Sequence, residues 1–229
     1  MISVVTFKWT TPGYRANFTS EHVNTLHRMV LRHYQAPHRF ICVTDDPAGL
    51  DDGIEVVPLW DHHASVPNPT GGGRPSCYRR LKLFDPAMSE VIGERFVMLD
   101  LDCVICGDLS PLFDRPEDAV FWKSPTNEWP YNGAMFMANT GARPQLWQDF
   151  DPIESPKLTQ AAGYRGSDQA WISYKLGWNE ATWTERDGVY YYGKIRNRQS
   201  IPANAKIIFT TGGSAPWTLR HPWVRKHYR

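Results

Sequence analysis

The stretch from Phe96 to Ile105 is apolar except at two positions, Asp100 and Asp102, and no other feature constrains the fold of this 229-residue chain so closely. Residues two apart in an extended chain project to the same side, so the pair can offer two hard oxygen donors to one divalent cation. Mg²⁺ and Mn²⁺ suit such a site, because they keep part of their coordination for water and substrate phosphates. Two carboxylates buried without a partner would cost several kcal/mol, so a cation is their expected companion. The competing reading is a pair that caps a turn. Position decides between them: the pair follows the compact apolar run Phe96-Val97-Met98-Leu99, and open α/β sheets bind ligands at the carboxyl ends of their strands.

The rest of the chain supplies such a sheet. Ile2 to Lys8 is a β-branched and apolar run that predicts a first strand, and Pro12 and Gly13 place a loop after it. Thr19 or Ser20 caps a helix in which Val23, Leu26, Val30 and Tyr34 recur at helical spacing up to the stop at Pro37. Arg39 to Thr44 and Ile54 to Leu59 read as two further strands, giving a β-α-β-β opening and a mostly parallel sheet covered by helices. Asp61 to Pro75, with Gly71-Gly72-Gly73 before Arg74, reads as a movable loop, and Cys77 to Phe84 as a short helix carrying Arg79 and Arg80. Leu109 to Phe113 forms one helical turn, Ala134 to Ala138 a strand, and Ser167 to Leu176 a helix capped by Ser167. The expected organisation is one domain over 1–229, divided into halves at 1–113 and 114–229.

Composition excludes several alternatives. A net charge of +1 gives no general pull toward nucleic acid or an anionic membrane. No run approaches the roughly 20 apolar residues of a membrane span, and Met1 to Val5 leads into a strand rather than a signal peptide, so a cytoplasmic protein is expected. On that expectation the acceptor motif Asn17-Phe18-Thr19 would go unglycosylated. Cys103 and Cys106 have the spacing of a redox or zinc element but lack a second pair, so they read as core cysteines. Ten residues each of Trp, Tyr and Phe exceed what a core of this size needs and suit stacking on sugars and bases.

Taken in order, the segments Phe96 to Ile105, Gly107-Asp108-Leu109-Ser110-Pro111-Leu112-Phe113, Tyr131-Asn132-Gly133 and Ser167-Asp168-Gln169 resemble the D-x-D, sugar-facing and D-Q segments of nucleotide-diphospho-sugar transferases of the GT-A fold, especially glycosyltransferase family 8 and its bacterial relatives. Lys8-Trp9 with Tyr14, and Cys42-Val43-Thr44-Asp45-Asp46, resemble the opening of that group. The resemblance implies a GT-A, Rossmann-like fold and transfer of a sugar from a nucleoside-diphosphate donor, a UDP-sugar, with Mn²⁺ or Mg²⁺ held by Asp100 and Asp102. It implies a donor site of Thr6, Lys8, Tyr14, Arg80, Asp100, Leu101 and Gly212, and a reaction centre of Asn132, Asp168 and Gln169. Arg80 stands for a donor-contacting arginine, whose planar fork suits a diphosphate; the plainer reading is two solvated bases on one helix face.

One departure is clear. The family ends its domain with a metal-binding His and a K-P-W tail, whereas this chain reads Ile207-Ile208-Phe209-Thr210-Thr211-Gly212-Gly213-Ser214-Ala215-Pro216-Trp217, without the His or the Lys. A Thr oxygen, water or His221 could complete the metal site, and backbone N–H groups at Gly212-Gly213 could cradle phosphate. The resemblance implies retention of anomeric configuration; in an inverting reaction Asp168 would be the base. The basic, aromatic segment from Trp217 to Arg229 reads as a solvated tail packed over the fold, or as a contact for a lipid-linked or nucleic acid acceptor that the run Lys194-Ile195-Arg196-Asn197-Arg198 would extend. The acceptor class, a glycan included, stays open. The alternative to a transferase is a nucleotide-sugar or carbohydrate-binding relative that has lost turnover.

Overall fold

The computed structural model describes residues 1–11, 18–69, 71, 76–210 and 214–229. Tyr14, Asn17, Gly72, Gly73, Arg74, Gly212 and Gly213 lie outside the described residues.

Strand β1 (Ile2–Lys8) is buried over all seven residues, as expected of an apolar run with a parallel neighbour on each side. Helix α1 (Ser20–His33) follows; the ring Nδ1 of His22 accepts a 2.9 Å hydrogen bond from the Thr19 N–H, so the chain entry is tied down at the helix start. Val23, Leu26, Met29 and Val30 on one face of α1 are wholly buried, each contributing roughly 1.5–3 kcal/mol. Strands β2 (His38–Thr44) and β3 (Glu55–Pro58) extend the sheet in parallel, and the mostly exposed β3 is its edge, where Pro58 is tolerated.

A 3₁₀ segment (Tyr78–Phe84) leads through two short turns to β4 (Arg95–Leu99), which pairs in parallel with β1. Next come β5 (Cys103–Ile105), β6 (Ala119–Lys123) and β7 (Tyr131–Asn139), then helices α2 (Glu154–Ala161) and α3 (Asp168–Leu176), and then β8 (Ala181–Trp183), β9 (Val189–Tyr191), β10 (Ile207–Phe209) and α4 (Pro222–His227). The main sheet has seven strands in the order β3-β2-β1-β4-β7-β6-β8, parallel except where β7 runs against β4 and β6. A smaller sheet has the order β5-β10-β9. Alternation along the central strands separates two cores. Val4, Val97 and Leu99 face α1 and the small sheet, while Val5, Phe96 and Met98 face the 3₁₀ segment and α3.

This is the mixed, mostly parallel α/β architecture expected from the sequence. The run from Phe96 to Ile105 is nevertheless two strands in two different sheets, with a bend at Leu101 and Asp102 between them. All four cysteines are free thiols, and Cys103 is buried in β5. Trp217 to Arg229 packs over the fold, as expected: α4 buries Val224, and Arg32 Nη2 donates to the His227 carbonyl at 2.9 Å. Among the described residues no helix is long and apolar enough to cross a membrane.

Candidate active site

The antiparallel β7 places the site. Its register sets Met135 opposite Leu99, and the Asp100 N–H continues the ladder to the Ala134 carbonyl at 2.9 Å, so Asn132 and Gly133 lie just beyond the carboxyl end of β4. There the chain crosses from the main sheet to the small one. Leu101, 2% exposed, is packed into the α1-side core and anchors the bend between its two acidic neighbours. Beyond the bend, Thr210 at the end of β10 donates both its backbone N–H and its hydroxyl to the Asp102 carbonyl, each at 2.8 Å. The acidic pair is thus held by a bend pinned at both ends.

Arg80 is the hub. Its side chain is 6% exposed and is aimed from the 3₁₀ segment between two carboxylates. One terminal nitrogen donates to Asp100 Oδ1, and the other lies 2.8 Å from Asp168 Oδ2. Asp168, the first residue of α3, is itself 2% exposed. Arg80 is therefore not a solvated base on a helix face, and Asp100 has the partner that the sequence argument assigned to a cation. Arg79 turns the other way, donating to the Trp60 carbonyl at 2.6 Å. Gly133 completes the packing: a Cβ built there would stand 3.2–3.3 Å from Gln169 Cβ, Arg80 Nη2 and Asp168 Oδ2, tighter than ordinary contact.

Gln169 spans two segments, donating from Nε2 to the Arg165 carbonyl at 2.8 Å and accepting at Oε1 from the Gly133 N–H at 3.4 Å. The Asn132 side-chain Oδ1 accepts from the Ala134 N–H at 2.9 Å, which leaves the side-chain amide nitrogen to donate elsewhere. The expected Ser167 cap takes another form: the Ser167 hydroxyl accepts from the Cys77 N–H at 2.8 Å, joining α3 to the 3₁₀ segment. Thr6 is fully buried and its hydroxyl donates to the Leu99 carbonyl at 2.8 Å, bracing the end of β4. Lys8 is also buried, with Nζ 3.6 Å from Asp46 Oδ2. Of the residues singled out in the sequence, Arg80, Asp100, Asp102, Asn132, Asp168 and Gln169 converge; Thr6, Lys8 and Leu101 support the strand ends and the bend. Gly133 was legible only as a turn glycine, because its contacts join residues far apart in the chain.

Among the described residues the cluster holds three carboxylates against one guanidinium. Burial, and then the neighbouring Asp100 charge, push the Asp102 carboxyl up to about 8. Burial acts on Asp100 in the same direction, with the Arg80 charge opposing it. Excess negative charge at a half-buried pair fits the hard oxygen donors of a divalent-cation site. Among the described residues no three His, Cys, Asp or Glu side chains converge as a metal-binding group. His221 is engaged elsewhere, its Nε2 lying 2.8 Å from the Tyr192 hydroxyl, and the Thr210 hydroxyl is directed at a carbonyl.

Comparison with known proteins gives no matching family model and no match among curated sequences. Solved structures do match. The galactosyltransferase LgtC, in complex with donor and acceptor sugar analogs, superposes with a TM-score of 0.65 at 13% identity over 98% of this chain and 93% of that one. The glycosyltransferase GlyE of Streptococcus pneumoniae TIGR4 gives a TM-score of 0.62 at 13% identity over 98% of this chain, which spans 60% of GlyE. The chain has the GT-A fold.

Proposed function

We propose that this protein is a glycosyltransferase that moves a sugar from a nucleoside-diphosphate sugar, a UDP-sugar, to an acceptor hydroxyl with the help of Mn²⁺ or Mg²⁺. The observation that carries the proposal is the convergence of Arg80, Asp100, Asp102, Asn132, Asp168 and Gln169 at the carboxyl end of β4, in a fold shared with two glycosyltransferases. Asp100 and Asp102 would hold the cation, which when bound supplies charge neutralisation for a departing diphosphate. The donor's nucleotide falls to the half formed by residues 1–113, the sugar and acceptor to 114–229.

The chain's own residues divide the remaining work. Arg80, fixed between two carboxylates, keeps Asp168 and Asp100 at a set separation. Gln169 and Asn132 present amide groups to sugar hydroxyls and are themselves oriented by backbone partners. Asp168 has one oxygen engaged with Arg80, so it serves to position the donor and to steady positive charge on the sugar ring rather than to take a proton. That role agrees with retention, in which a leaving-group phosphate oxygen accepts the acceptor's proton.

A second reading, a binding protein without turnover, draws on the two-carboxylate metal site and the missing family His. One experiment separates them. UDP release from a panel of UDP-sugars, with Mn²⁺ and with chelator, should show slow metal-dependent hydrolysis of one donor that Asp102→Asn abolishes. Donor binding without turnover would favour the binding protein, and absence of any donor binding would remove both readings.

A further inference from the structure

Charge is partitioned along this chain. Residues 185–229 contain nine Lys and Arg against two acidic residues, whereas the whole chain carries +1, so the preceding 184 residues carry −6. The fold brings part of the basic segment to the edge of the acid cluster. A cleft of about 550 Å³ lies between the β6–β7 connection and the start of the small sheet, with Trp122, Lys123, Asn127, Arg186, Tyr191 and Lys194 in its wall. That volume falls within the roughly 300–1,000 Å³ of small-ligand sites. Glu185 is the one acid in the wall, and it is paired with Lys194 at 3.0 Å. The side chains of Lys123 and Arg186 are exposed and carry no ion pair among the described residues. The cleft adjoins the candidate site through two contacts: Trp122 lies opposite Asn132 in the β6–β7 ladder, and its ring stacks on Phe209, whose successor Thr210 holds the Asp102 carbonyl.

We infer that this cleft is the acceptor subsite and that it selects an oligosaccharide bearing carboxylate or phosphate groups, read by Lys123, Arg186 and Lys194. The inference rests on the transferase reading of the acid cluster and deepens it. A cluster of carboxylates repels an anionic acceptor, so a transferase for such an acceptor needs opposite charge on the approach, set back from the reacting carbon. The wall supplies that charge: Lys123, Arg186 and Lys194 are exposed, and the half-buried Tyr191 ring offers an apolar face on which an uncharged sugar can pack. An open cleft also lets a chain pass through instead of enclosing a single ring.

The test is titration calorimetry of the full chain with an oligogalacturonate, a phosphomannan oligosaccharide, maltohexaose as the neutral control, oligothymidylate, and UDP with Mn²⁺. At low salt at least one acidic oligosaccharide should bind about tenfold or more tighter than maltohexaose, an advantage that shrinks as salt screens it. The two acidic probes separate carboxylate from phosphate recognition. The variant Lys123→Gln/Arg186→Gln/Lys194→Gln should bring acidic and neutral ligands within about threefold of each other while UDP titrates as before, and Glu185→Gln should strengthen acidic binding. Equal binding of acidic and neutral oligosaccharides, an unaffected triple variant, or oligothymidylate binding as tightly as the acidic glycans would each overturn the assignment. Failure of UDP to bind while the acidic glycans still do would remove the transferase reading and leave the ligand class of the cleft standing.

Discussion

Replacing Arg80 by Met keeps most of the aliphatic stem and removes the one positive charge that the described residues bring to the cluster. The structure fixes how much should be lost. Asp168 has a side chain 3% exposed and would be left as a buried carboxylate with no counter-ion, whereas Asp100, a third exposed, would recover part of its solvation from water. Removing one partner of a buried pair costs about 3–5 kcal/mol, and most of that belongs here to Asp168. For a chain of this length each kcal/mol lowers the melting temperature by roughly 2–4 °C, so Arg80→Met should melt well below the wild type in thermal and urea unfolding at neutral pH. The double variant Arg80→Met/Asp168→Asn, which removes the stranded charge, should recover more than half of the loss. A loss below about 1 kcal/mol, or no recovery in the double variant, would show that water reaches Asp168 as well and that this carboxylate is not enclosed as described above.

Other outcomes follow from the same geometry. Asp102, raised to about 8 in the folded state against an ordinary carboxylate value near 4 when unfolded, holds its proton more tightly when native. Its stabilisation is therefore complete below about pH 4 and lost as pH rises through about 8, by at most about 1.4 kcal/mol per pH unit; Asp102→Asn should flatten that slope in metal-free unfolding measurements. Mn²⁺ affinity should climb over the same window, because the cation must displace the proton, and calorimetry in two buffers of different ionisation enthalpy will read the released proton. Gly133→Ala puts a methyl group against Arg80, Asp168 and Gln169, so turnover should fall about tenfold or more while circular dichroism stays that of the native fold. Thr6→Val keeps the shape and removes the hydrogen bond to the Leu99 carbonyl, costing about 1 kcal/mol in urea unfolding.

The fold was readable wherever one local pattern governs an element. Ile2–Lys8 is a strand by its apolar run, and Val23, Leu26 and Val30 make a helix by spacing, whatever the rest of the chain does. Short elements set by pairing were not readable: β8, β9 and β10 have three residues each and owe their form to distant neighbours, Phe209 to Cys103 for example. The same distinction holds at the site. Asp100 and Asp102 announce themselves as charges in an apolar run, but the bend that orients them is created by Thr210 and by the departure of β5 into a second sheet, neither of which leaves a local trace. Arg80 was visible as a candidate by resemblance; that it bridges two carboxylates 20 and 88 residues further along, with Asp168 almost completely enclosed, is a property of the packed chain.

The bend at Leu101 and Asp102 is also the seam where one sheet hands the chain to the other. Asp100 is fastened to β7 and Asp102 to β10, so the gap between their carboxyl groups is set by how the two sheets are seated against each other. Substitutions in β9 or β10, remote from any reacting atom, should therefore loosen or tighten the grip on a cation as adjusting the pivot of a pair of tongs changes the bite at the tips.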